Sequence, residues 1–301
     1  MTTFRLAMEI AGLIPGEIVA DGKWRRCKTQ DKQSHRNGAY LMRVDGSAGF
    51  WKNWATDQDF NTWHAQGEIS ASAKLQNEAM AAAARQRQAK YQADQIKAMR
   101  AHWYALPMLR GGHPYLTAKV LDMRGCNSLR LDGDLLVIPV MRDGLVMSLQ
   151  TIAPDGTKRF STGCPVKGGV FLLDRPQAVL TCFVEGFATG LAVYQSIIQS
   201  RVVVCFDSGN LVEVAQHYQG KGLGVVCADN DHATAARIGT NPGIQAGKKA
   251  AELMGCGMAY PEDIEGSDWA DALAEFGEHA RRWVSRNVMN KAKPFKRLAM
   301  A

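Results

Sequence analysis

Three acidic segments carry the residue types and spacing for chemistry: Val184-Glu185-Gly186, Ala228-Asp229-Asn230-Asp231 and Gly266-Ser267-Asp268-Trp269-Ala270-Asp271. The first two close apolar, β-branched runs at 179–184 and 223–228, a composition suited to strands buried on both faces of a parallel sheet. Such strands deliver the residues that follow them to one carboxyl edge, where open α/β sheets build their sites. Two carboxylates about 4 Å apart repel by roughly 4 kcal/mol at an effective dielectric near 20, so Glu185, Asp229 and Asp231 grouped there must hold protons or bind cations. A hard divalent ion with oxygen ligands, Mg²⁺ or Mn²⁺, meets that need most simply. The i, i+2 spacing of Asp229 and Asp231 turns both carboxylates to one side and Asn230 away. Asp268 and Asp271 are candidates for a second ion or its outer contacts, and Asp268 fits a helix N-cap equally well. Asp207, ahead of Ser208-Gly209-Asn210, reads as a turn and cap beside the same edge.

These carboxylates need a sheet to hold them, and the chain supplies the pattern for one. From 177 onward strands (179–184, 201–206, 223–228, 258–260) alternate with helices (188–199, 210–217, 244–254 and a last one after Asp268), which implies a parallel sheet with right-handed crossovers. Ahead of it, strands at 134–140 and 145–152 with turns at Arg142-Asp143-Gly144 and Pro154-Asp155-Gly156 predict a hairpin-rich α+β unit. Lys158-Arg159-Phe160 follows the second turn and sets two cations and an aromatic where a nucleic-acid backbone could lie, although a plain hairpin end would look the same. Residues 68–105 are rich in Ala, Gln, Lys and Arg with no Gly or Pro, which predicts one long connecting helix. Residues 1–67, punctuated by Gly and Trp, predict a small β-rich module. There Lys23, Arg25, Arg26, Lys28, Lys32 and Arg36 are interleaved with Trp24, Tyr40, Trp51 and Trp54, either to hold single-stranded phosphates and stack bases or, for the tryptophans, to form the module's core.

At 301 residues and 46% hydrophobic content the chain is long enough for two or three packed units. Its net charge of +7 and pI near 9.0 suit a polyanionic partner. Much of the excess lies in Arg281, Arg282, Arg286, Lys291, Lys293, Lys296 and Arg297, a tail without one acid after Glu278. The seven cysteines are scattered singly with no C-x-x-C, so no zinc is expected. No apolar run of about 18 residues is present, and Arg5, Glu9 and Glu17 interrupt the first 22 residues, so no membrane association and a cytoplasmic location are expected.

Glu185-Gly186 at one strand end and Asp229-Asn230-Asp231 two strands later resemble the Toprim fold, the catalytic unit shared by DnaG-type primases, type IA and II topoisomerases and certain nucleases. The wider chain, from about Gly111 to Asp271, is similar to the Toprim-bearing primases of phages and plasmids through His113-Pro114-Tyr115-Leu116, Leu136-Val137-Ile138-Pro139, Asp155-Gly156-Thr157-Lys158-Arg159-Phe160, Glu185-Gly186-Phe187-Ala188-Thr189-Gly190, Ser208-Gly209-Asn210-Leu211 and Asp268-Trp269-Ala270-Asp271. The resemblance implies an α/β fold: a Toprim parallel sheet flanked by helices (177–275), preceded by an α+β subdomain (106–176), a helical linker (68–105) and a β-rich module (1–67), and followed by a basic tail (276–301). It implies a Mg²⁺-dependent DNA primase that makes short RNA primers on single-stranded DNA from NTPs in a bacterial host cell. Glu185, Asp229 and Asp231 would be its catalytic residues. Lys158, Arg159, Arg25, Arg26, Lys28, Trp51 and Asn210 are the expected nucleic-acid or nucleotide contacts. Two departures from the family pattern are plain: no cysteine ligands for an N-terminal zinc finger and no Walker A motif, so a replicative helicase is expected in trans. A Toprim nuclease and a non-catalytic DNA-binding replication or anti-defence factor are the alternative readings.

Overall fold

The computed structural model describes residues 3–31, 33–57, 59–65 and 71–296; Lys32 and Arg297, among the cations noted above, lie outside them. The chain divides into two compact units, Met1–Tyr91 and Gln92–Ala301.

In the first unit a short helix α1 (Phe4–Ile10), capped by the Thr3 hydroxyl accepting from the Leu6 N–H at 3.2 Å, precedes a sheet. Its five antiparallel strands run in sequence order: β1 (Leu13–Ile14), β2 (Arg25–Thr29), β3 (Gly38–Met42), β4 (Ala48–Asn53) and β5 (Asn61–His64). Period-two alternation decides which side chains go inward. Along β4, Trp51 is buried while Phe50 and Lys52 on the opposite face are half-buried. Trp51 pairs in register with Tyr40, and both rings pack on Phe4, at 6.0 and 6.2 Å between centroids. Gly49 makes that possible, since a Cβ there would fall 2.2 Å from the Phe4 ring. With Met8, Leu13 and Cys27 these rings form the core of the module. Trp51, expected to stack on bases, is therefore 8% exposed and serves the core instead.

Helix α2 (Ala71–Ala105) realises the expected helical run; its residues up to Tyr91 belong to the first unit and the rest to the second. In the second unit, Met99 and Trp103 of α2 pack with Val137, Val146 and Leu149. There α3 (Pro114–Ala118) is followed by a four-stranded antiparallel sheet of β6 (Arg130–Asp132), β7 (Leu135–Arg142), β8 (Leu145–Ile152) and β9 (Lys158–Phe160).

The second sheet of this unit is the one that positions the site. It takes β10 (Phe171–Leu173), β11 (Leu180–Val184), helix α4 (Phe187–Ser196), β12 (Ser200–Val204), α5 (Ser208–His217), β13 (Leu223–Cys227), α6 (His232–Ile238), α7 (Pro242–Met254) and β14 (Gly257–Ala259), then α8 (Asp271–Phe276), α9 (Ala280–Lys291) and β15 (Lys293–Pro294). The strand order is β10-β12-β11-β13-β14, with β15 also on β13. The four strands β12, β11, β13 and β14 are parallel, while β10 and β15 run antiparallel. The sheet is thus mixed, with antiparallel β10 at one edge and a short antiparallel β15 on β13. Alternation along β11 sends Cys182 and Val184 to one face with α4 and α9, and Phe183 to the other with α5 and α7.

The segment expected to be a basic tail is largely folded. Ala280, Val284 and Val288 recur every four residues on α9 and are buried in the main core, and Arg281 reaches Asp122 at 2.9 Å. Its charges are one face of an amphipathic helix. Among the described residues, no helix is long and apolar enough to cross a membrane.

Candidate active site

Register fixes the site. Val184 at the end of β11 lies opposite Val204 of β12 and Cys227 of β13, so Glu185, Asp207 and Asp229 all leave the sheet at one edge. Gly186 caps α4 there, and Gly190 lets that helix press on the sheet, since a Cβ would stand 2.6 Å from Val204 Cγ2. The third acidic segment is tied to the second by backbone and core contacts: Asn230 N–H donates to Ser267 C=O at 2.7 Å, and the fully buried Trp269 donates its Nε1–H to Ala228 C=O at 3.2 Å.

Each carboxylate has a defined partner. Asp229 accepts from the Thr189 hydroxyl at 2.9 Å, and Asp231 from Gly243 N–H, at the start of α7, at 3.0 Å. Asn230 donates to Pro261 C=O and accepts from Asn241, which also accepts from Asp231 N–H. Asp268 accepts from Ala270 and Asp271 N–H, both at 2.8 Å, in the turn that leads into α8. Asp271 accepts from Ser267 and Asp268 N–H. Both are bridged by the Lys119 ammonium, at 3.3 Å from Asp268 and 2.6 Å from Asp271. Asp207 caps α5 through Asn210 N–H at 2.7 Å.

The electrostatics are those of crowded negative charge. Burial, then the Asp231 and Asp207 charges, push Glu185 up to about 7, against smaller opposing help from the Ser208 N–H and Lys158. Burial, with Asp268 and Glu185 beside it, holds Asp229 well above the ordinary carboxylate range. Burial also acts on Asp271, but Lys119 and the two amide donors outweigh it and keep that group low. Lys119 itself is raised: Asp268 and Asp271 overcome the cost of its burial.

The carboxylates share an edge without forming a closed ligand cage. Among the described residues no three His, Cys, Asp or Glu side chains are grouped to hold a metal ion as placed. The expected convergence of Glu185, Asp229 and Asp231 on one ion is therefore not preformed. The reason is local: Asp229 is turned to Thr189, Asp231 to Gly243, and Asp268 and Asp271 to Lys119. The donor chemistry nonetheless fits a hard divalent cation, being oxygen-only and short of positive charge around Glu185 and Asp229.

Residues 181–279 match the family model described as the Toprim domain. The second unit carries a Toprim domain. Two DNA primase TraC proteins of Escherichia coli are 31% and 30% identical to the chain over 261 and 282 residues, 81% and 86% of its length. The chain spans about a quarter or less of those relatives, 24% and 19%. The primase fragment of the bacteriophage T7 primase-helicase aligns with a TM-score of 0.38 at 12% identity, over 60% of this chain and 78% of that one.

Around the Toprim edge, the other expected residues fall into two groups. Lys158 on β9 reaches the site: it acts on Glu185 and its Nζ stands 6.0 Å from the Tyr115 ring centre. Arg159 beside it is exposed. Arg25, Arg26 and Lys28 are exposed on β2 of the first unit, with Arg25 held by Asp21 at 2.8 Å. Asn210, expected at a nucleotide, is 5% exposed and has its amide committed to Gly169 and Cys205 carbonyls and Gly168 N–H; it fastens α5 to the loop before β10.

Sequence reasoning missed Lys119 and the hydroxyl of Tyr115. The latter is buried with no hydrogen-bond partner among the described residues, and burial together with Asp268 pushes it up to about 12. No local signal marks Lys119, which meets Asp268 across 149 positions of sequence. Gly243 offers a direct check on the geometry, because a Cβ there would lie 2.4 Å from Asp229 C=O and 3.0 Å from Asp231 Oδ2. Gly243→Ala should cost about 1–3 kcal/mol through overpacking, read as a lower thermal midpoint, and should displace both aspartates.

Proposed function

We propose that this chain is a DNA primase that joins NTPs into short RNA primers on single-stranded DNA, serving a phage, plasmid or related element in the bacterial cytoplasm. The observation that carries the reading is the placement of Glu185, Asp229 and Asp231 at one carboxyl edge of a Toprim sheet, with Glu185 raised to about 7 by burial and then by its acidic neighbours. Its likeness to TraC primases over most of its length supports the same reading.

Asp229 and Asp231 would hold divalent ions, with Asp268 and Asp271 as further ligands or outer contacts. When bound, such ions neutralise charge on the attacking and leaving oxygens of phosphoryl transfer. The chain's own residues do the rest. Glu185 completes the acidic set as ligand or accepts the proton of the attacking 3′-hydroxyl, a role for which a carboxyl titrating near neutrality is suited. Lys119, on Asp268 and Asp271, and Lys158, near Glu185, bring positive charge to the acidic cluster, where triphosphate oxygens need it. Thr189 fixes the Asp229 rotamer.

The test combines single-stranded DNA, labelled NTPs and Mg²⁺ or Mn²⁺ with the purified protein. New short RNAs support primase; shortened DNA would identify a nuclease; binding with neither product would identify a non-catalytic factor. Affinity for single strands should also fall at least about tenfold between 50 and 200 mM salt, as phosphate contacts release counterions. A flat salt response in filter binding would remove the basic template path.

A further inference from the structure

The sheet of the first unit has a second face that its core does not use. Alternation puts Trp51 and Tyr40 inward and leaves Arg26 and Lys52 outward, both paired with Ala39 between them in one cross-strand row. On that face three large aromatic rings stay open to solvent: Trp24 is 50% exposed, Trp54 54% and Phe60 49%. They form one cluster. Phe60 stands between the tryptophans, with ring centroids 4.9 Å from Trp24 and 6.0 Å from Trp54. Cations lie over them: Lys52 Nζ is 4.8 Å from the Trp54 ring centre and 5.3 Å from that of Phe60, and the Arg26 guanidinium is 5.6 Å from Trp54.

We propose that this outer face is a stacking platform for single-stranded DNA, with Trp24, Phe60 and Trp54 receiving bases and Arg26 and Lys52 meeting the phosphates between them. The inference rests on the primase reading for its partner, and it assigns template contact to residues other than Trp51. Single-stranded sites combine a cationic track with aromatic faces on which bases stack irrespective of sequence. A duplex keeps its base faces stacked and offers these rings nothing. Charge complementarity supports the same occupant. Lys23, Arg25, Arg26 and Lys28 are all exposed around Trp24. Of the nearby acids, Asp21 is tied to Arg25 and Asp57 to Asn53 N–H and the Asn61 amide, while Asp59 next to Phe60 and Glu78 near Trp24 are exposed and outnumbered by the four cations.

The experiment is fluorescence anisotropy of the full chain with a labelled oligo(dT) strand, in EDTA and without NTPs. Platform binding is then measured apart from catalysis, and a chain that makes no primers is still informative. Trp24→Ala and Trp54→Ala should each weaken binding by about tenfold, from the loss of one stacked base. The pair should weaken it by about a hundredfold with an unchanged thermal midpoint, and Trp54→Phe, which keeps a π-face, should retain most of the affinity. Arg26→Gln should lower the salt slope by about one. Equal affinity of the double variant and the parent would overturn the proposal, as would duplex DNA binding as tightly as the single strand. Should Trp54→Ala lower the midpoint, an equal loss of affinity in Trp54→Phe would mean that the rings serve packing alone, and overturn it as well.

Discussion

Asp229→Asn is expected to reduce primer synthesis by about a thousandfold or more, while leaving the chain folded and more stable than the parent in metal-free buffer at neutral pH. The two effects have one cause. Asp229 is buried among Asp268, Glu185 and Asp231, which push it toward its protonated form, so its ionisation is costly unless a cation is present. Asparagine keeps the shape and can still accept from Thr189, now 2.9 Å from Asp229 Oδ1, but it carries no charge to hold an ion. Losing several kcal/mol of charge stabilisation in the transition state at about 1.4 kcal/mol per decade gives the expected drop. Single-turnover primer synthesis and thermal unfolding in EDTA check the pair of effects. Full-rate synthesis by Asp229→Asn would take this residue out of the machinery, and lower stability would mean that the carboxylate is satisfied without an ion.

How much of this was legible in the sequence follows from how local each cause is. Runs such as Leu180 to Val184 and Leu223 to Cys227 are buried at nearly every position and announce parallel strands by composition alone. The acids that close them were therefore readable as one edge. The inward side of β4 was readable in principle: in Phe50-Trp51-Lys52 a period of two forces Trp51 and Lys52 to opposite faces, and Tyr40 across the sheet settles which is core. In its basic neighbourhood Trp51 carried both the stacking and the core reading, and the alternation decides for the core. On α9, Ala280, Val284 and Val288 carried a helical signal that the surrounding arginines concealed. Lys119 had no signal at all, since its partners are set by tertiary packing rather than by spacing. Asn210 is polar at a position that packing encloses, where its amide meets three backbone groups.

The stability of the metal-free protein should fall as pH rises from about 4.5 to about 7, and Glu185→Gln should remove much of that fall. The unfolded chain releases this proton near the ordinary value of 4.5, whereas the folded chain keeps it to about 7. Between those values the folded state binds more protons, so stability declines with pH across the window and the full cost stands above it. A shift of that size corresponds to about 3 kcal/mol. Glu185→Gln should therefore match the parent near pH 4 and exceed it by roughly 5 to 10 °C in thermal midpoint at pH 8, with Asp229 adding a residual slope of the same sign. A divalent ion reverses the cost by supplying the missing positive charge, so Mg²⁺ added at pH 6.5 should release protons from the parent and fewer from Glu185→Gln. Both are measurable, by thermal scans from pH 4 to 8 and by titration in two buffers of different ionisation enthalpy. Parallel stability curves for parent and variant would mean that Glu185 ionises as it does in water. The acidic edge would then have no electrostatic reason to recruit a cation through that residue.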